Sequence, residues 1–342
     1  MEKHDLYGAA REGTFALLAA DLITTEQLTK QNASGNTPLH LAAKYGSLDQ
    51  LPPAVLTQEA LCLKNEAGYT PIHLAGRSGH LRQVPSALLT RENLLRRSNS
   101  GYTPLHQAAA SGSLDQVPTT LLTEEIILTK TDHGNTLLHE AAEAGTLDRF
   151  PAAFLNHRTL TAPNISGETV LHVAAFNGHL DQVPRDLLTA ETLLTKTANH
   201  DTCLHAAAIS GHLDQVPAEL LTHDHLVLAS KSGHTPIHAA AEAGYIWQIP
   251  RDRLTLDLLT SRNDFGDTPL HAAAVEGHLN EIPREFLTAT TLNLRNYNGG
   301  TPIGAALRHG HKAQLPPEFL PKPPNFLRKI LAKLGGSRPP FG

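Results

Sequence analysis

Large rings are scarce in this sequence: aromatic residues make up 5% of it, with one tryptophan. That scarcity argues against a globule centred on big aromatic side chains. The 40% of apolar residues still allow a sizeable core built from alanine and leucine. No apolar run reaches the roughly 20 residues that a membrane-spanning helix needs, and Met1, Glu2, Lys3, His4 and Asp5 do not open a secretory leader. We therefore expect a cytoplasmic protein, with export into a host cell by a route not marked in the sequence left open. There are two cysteines, Cys62 and Cys203, far apart and in unlike contexts. They argue against a disulfide framework and predict free, buried thiols in a reducing compartment.

Catalytic patterns are missing as well. The chain has no Gly-rich phosphate loop, no Gly-x-Ser-x-Gly elbow and no Cys-x-x-Cys pair. Its carboxylates Asp49, Asp115, Asp148, Asp181 and Asp214 recur at one register, as solvated helix ends do, whereas an acid–base pair would be unique. We expect no enzymatic activity, no cofactor and no metal. Charge is uneven: the segment from Pro321 onward holds Lys322, Arg328, Lys329, Lys333 and Arg338 and no acids, so a whole-chain charge of −5 leaves the preceding body at −10. An acidic body argues against nucleic acid as the partner.

What is present is one stretch copied at a fixed interval. Gly101-Tyr-Thr-Pro-Leu-His-Gln-Ala-Ala109 has counterparts opening at Gly35, Gly68, Gly134, Gly167, Gly233, Gly266 and Gly299, with His200 once replacing the glycine. A 33-residue period that neither gains nor loses a residue predicts a solenoid, whose units bury their apolar faces only against neighbours. Within a unit, Thr37 suits an N-cap and Pro38 the first helical position. Leu39, Ala42 and Ala43 form a narrow apolar stripe, and Gly46 suits a left-handed stop. A proline then recurs at Pro52, Pro85, Pro118, Pro151, Pro184, Pro217, Pro250, Pro283 and Pro316. It predicts two short helical pieces with a break instead of a continuous second helix. The register Thr24, Thr57, Thr90, Thr123, Asn156, Thr189, Thr222, Thr255 and Thr288 predicts a third piece with its own N-cap.

With its Thr-Pro-Leu-His-x-Ala-Ala motif and the pairs Gly79-His80, Gly178-His179 and Gly211-His212, the period resembles the ankyrin repeat over roughly residues 2 to 320. The resemblance implies an all-α, ankyrin-type solenoid of about ten 33-residue units, with little or no strand and no catalysis, that binds another protein. It also implies that His40, His73, His106, His139, His172, His205, His238 and His271 are structural hydrogen-bonders between neighbouring repeats. One departure is systematic. The family continues its second helix into a long hairpin finger, whereas the proline break and the Leu-Leu-Thr-x-Glu segment here predict variant repeats with a shorter finger.

In order, residues 1–34 are expected to cap the stack and 35–298 to form eight repeats. Residues 299–320 would be a partial capping repeat and 321–342 a basic amphipathic tail. Three units lose the motif proline, at Leu137, Val170 and Cys203, and should start their helices less firmly. Binding should reside where the units differ. After the Ala-Ala pair the register runs Lys44, Arg77, Ala110, Glu143, Phe176, Ile209, Glu242, Val275, Arg308. Phe176, Ile209 and Val275 are thus candidate anchors on the concave face. Tyr69, Tyr102, Phe265 and Tyr297 lie at or near the turn tips, and Trp247 replaces the usual aspartate at a helix start. The function expected is a monomeric, non-catalytic protein-interaction scaffold. The alternative is a membrane-surface or assembly adaptor that docks through Phe326–Leu334.

Overall fold

The computed structural model describes residues 5–320. The tail 321–342, and with it the stretch Phe326–Leu334 on which the membrane alternative rests, lies outside the described residues. Among the described residues there are nineteen α-helices and no strand. None is long and apolar enough to cross a membrane. Every unit begins with an inner helix of seven or eight residues, such as Pro38–Tyr45, Pro104–Ala110 and Pro269–Glu276. Thr37 caps the first of these by accepting the His40 N–H, Pro38 occupies the first turn, and Gly46 ends it at φ 74 and ψ 43. The three helices without proline, Leu137–Ala144, Val170–Asn177 and Cys203–Ser210, still run eight residues. In each of the three the threonine makes no side-chain cap bond, unlike Thr37, Thr70 and Thr103, though the proline-started helices at Pro236 and Pro269 lack it too.

The recurring proline acts as its chemistry requires. Leu51 is extended at ψ 142 because the following ring clashes with an α conformation, and Pro52 itself lies at φ −57 and ψ 134. Two single 3-10 turns, Leu48–Gln50 and Pro53–Val55, flank the break. A four-residue outer helix such as Gln58–Leu61 follows, capped by Thr57. Successive inner helices pack directly on one another along the whole series. Fully buried alanine pairs, Ala42/Ala43, Ala108/Ala109 and Ala174/Ala175, permit that close approach. Leucines from the turns and outer helices, among them Leu48, Leu61, Leu94 and Leu193, complete one continuous core.

Polar clamps join each unit to the next. Gln182 donates its amide to the Gly145 carbonyl at 3.1 Å and accepts the Leu147 N–H at 2.9 Å. Gln83, Gln215 and Gln314 hold equivalent groups in their own neighbours. At the turns, Asn164 donates to the Asn135 side-chain carbonyl and the Ile165 N–H donates to the His133 carbonyl. The His212 ring lies where a Cβ on Gly178 would sit, 2.6 Å from the nearest ring atom, which accounts for the pairing of glycine with histidine at this register. Of the cysteines, both free, Cys203 is buried as expected. Cys62 is only half-buried, its thiol 3.3 Å from the Asn93 side-chain oxygen, so the expectation of two buried thiols is corrected for that one.

His200, standing where the other units have glycine, is the one non-glycine residue with positive φ among the described residues, at 65°. A side chain strains that conformation by roughly 1–2 kcal/mol, while glycine is more costly to order. His200→Gly should therefore raise stability by about 0.5–1 kcal/mol. Thermal unfolding would show it, and a fall in Tm would count against the strain.

Candidate protein-binding groove

Eight buried histidines link successive units at the starts of the inner helices. At His40 the ring Nδ1 accepts the Thr37 backbone N–H at 3.1 Å, so the proton resides on Nε2, which donates to the Tyr69 carbonyl of the next unit at 3.0 Å. The Nε2 bond recurs from His73 to Tyr102, His106 to Asn135, His139 to Glu168 and His172 to Asp201. It continues from His205 to His234, His238 to Asp267 and His271 to Gly300. Burial lowers the pKa of all eight, to about 4 for His40, His73, His106, His139 and His238, against a partial upward pull from the backbone bonds. They are neutral struts at neutral pH. Each has both ring nitrogens committed.

Phe176 and Ile209 end adjacent inner helices and are 54% and 40% exposed. They share a groove of about 520 Å³ with Val173 and Ala206, which lie one helical turn earlier. Its walls also carry Glu143, Glu168 and Asp201. Val275 is half-buried and lines a second hollow of about 350 Å³ with Phe265, Glu242 and Arg308. His234 belongs to both hollows and pairs with Glu242 at 3.1 Å, which with burial as an opposing influence leaves the carboxyl below its usual range. Phe265 and Tyr297 are exposed, at 58% and 72%, and the Tyr297 ring lies over Gly266.

The other candidates lie elsewhere. Tyr69 and Tyr102 are half-buried, their rings packed edge-on over His73 and His106 at centroid distances of 5.4 and 6.0 Å. They cover the motif histidines. Trp247, 63% exposed, lines a separate groove of about 750 Å³ formed by the proline-broken turns with Ile249, Ile282 and Leu315. Three features escaped the sequence: Ile165, exposed at a turn tip, the Val173/Ala206 floor, and the acidic wall. The floor was accessible by stepping back one helical turn from Phe176 and Ile209. The wall joins helix and turn registers that only stacking brings together.

Among the described residues no three metal-capable side chains converge. His223 faces Asp257 at 3.0 Å, and the His225 Nδ1 bonds the Leu220 carbonyl.

Comparison with known proteins agrees with this geometry. A family model for ankyrin repeats matches three copies across residues 171–249, and a single-repeat model matches residues 34–51. No curated protein gives a significant sequence match. Ankyrin repeats are in general protein–protein interaction modules, typically without enzymatic activity. Capped inner helices stacked in register, the Thr–His strut linking each unit to the next and the two family matches lead to one conclusion: residues 34–51 and 171–249 match ankyrin repeats, and the stack is an ankyrin-type helical solenoid.

Proposed function

We propose that the chain is a monomeric, non-catalytic scaffold that receives a protein partner on its concave, inner-helix face. Phe176 and Ile209 are the central anchors, and Val275, Phe265 and Tyr297 extend the contact toward the C-terminal end. Units 1–34 and 299–320 close the ends of the stack. Trp247 offers a separate contact outside this face. The observation that carries the proposal is the pair Phe176 and Ile209, large apolar side chains left in water over one shared groove. Burying what is still exposed of each would contribute about 1 kcal/mol, a gain available only through a partner. An acidic body makes a nucleic-acid partner the poorer fit.

The test is affinity capture with the wild-type chain and with Phe176→Asp plus Ile209→Asp. The double variant should lose the captured protein while its Tm stays within a few degrees, since both residues are exposed. Retention of the same partner would count against this face. A collapsed fold would show that the two side chains belong to the core.

A further inference from the structure

The groove over Phe176 and Ile209 has an apolar floor, and its charged walls are of one sign. Val173 and Ala206 complete the floor, while Glu143, Glu168 and Asp201 stand around it and no lysine or arginine lines it. Among the described residues none of these three carboxylates has an ion-pair partner within 4 Å. Glu242, at the equivalent position one unit beyond Ile209, is paired only with His234. The same register turns basic at its ends, at Lys44 and Arg77 and again at Arg308. Negative potential is therefore concentrated where the exposed apolar side chains are.

We propose, building on the concave-face reading above, that the partner presents an extended cationic–apolar segment: two apolar side chains on Phe176 and Ile209, bracketed by lysine or arginine against Glu143 and Glu242. The spacing follows from the repeat. Packed helices lie roughly 8–10 Å apart, and a polyproline II segment advances about 3.1 Å per residue with three residues per turn, so one repeat corresponds to three partner residues and every third side chain falls on the same face. Glu143, Phe176, Ile209 and Glu242 belong to four successive units. The matching pattern is basic-x-x-apolar-x-x-apolar-x-x-basic. Oppositely charged groups facing each other at the rim would steer encounter and set register, while the apolar pair supplies most of the affinity.

Fluorescence anisotropy of the full chain with three labelled peptides tests this. The first is Lys-Ser-Ser-Leu-Ser-Ser-Leu-Ser-Ser-Lys, and the others replace both lysines by glutamate or by glutamine. The lysine peptide should bind about tenfold more tightly than the glutamate peptide, the sum of two exposed charge contacts, and should weaken as salt is raised. Glu143→Lys with Glu242→Lys should invert the order. Glu143→Lys alone, at an exposed site, should narrow the gap by about threefold. Equal binding of all three peptides, a preference for the acidic one, or no binding of the lysine peptide overturns the proposal. The parent reading is separated by Phe176→Ser with Ile209→Ser: if binding is indifferent to peptide charge yet lost in this variant, the groove stands and its charge preference falls. If the lysine peptide binds this variant as well as wild type, both fall.

Discussion

Acidification from pH 7 to pH 5.5 should reversibly lower the Tm of the folded array by about 10 °C. Five motif histidines have native pKa values pushed down to about 4, mainly by burial, from 6.5 in the open chain. Because the native value is the depressed one, the unfolded state takes up protons first. Stability is therefore full above pH 6.5 and is lost as pH falls toward 4. At pH 5.5 each of the five has lost about 1.3 kcal/mol relative to pH 7, together on the order of 6 kcal/mol. One group opposes them. Burial raises Glu140 from 4.5 to about 7, despite its bond from Asn135, so its charge destabilises the fold as pH rises through that window and acidification relieves it. That relief is about 1.5 kcal/mol, too small to cancel the histidines. A Tm that stays flat between pH 7 and pH 5.5 would mean the imidazoles are not held neutral.

His139→Ala should cost about 3–5 kcal/mol at pH 7, the largest effect expected of any single change at the motif. The ring is buried at the centre of the stack, and its loss strips a partner from the Thr136 N–H and the Glu168 carbonyl while leaving a cavity. Lys130 and Glu168 contribute opposing, smaller influences on this ring than burial does. Because each unit touches only its neighbours, the loss falls on one interface, and denaturant unfolding should separate into two phases. The variant should also lose less stability on acidification than wild type. A change below about 1 kcal/mol would show that the strut is ornamental.

Local chemistry is why so much of the fold could be read from residues alone. Thr37, Pro38 and Gly46 specify where a helix starts and stops by bonds and angles within a few positions, and Pro52 breaks the next piece by its ring. Apart from the histidine link, which the family resemblance implied, features joining distant positions were not legible. Gln182 reads as an ordinary polar turn residue, yet its carbonyl partner, Gly145, lies 37 positions earlier and is brought near only by stacking. Tyr69 and Tyr102 could have been free tips or covers. The outcome depended on where the His73 and His106 rings lie in the folded turns. The candidate anchors Phe176 and Ile209 stood out because they depart from a register of otherwise charged or small residues. The acidic wall around them did not, since Glu143 comes from a helix end and Asp201 from a turn.

Oxidative side-chain footprinting of the full chain, free and bound to its captured partner, tests the central claim most directly. Phe176 and Trp247 are both exposed aromatic rings, and they lie in different grooves. Binding on the inner-helix face predicts that the partner shields Phe176 while Trp247 oxidises at its free rate. Shielding of Trp247 with Phe176 left reactive would contradict it and move the functional surface to the proline-broken turns.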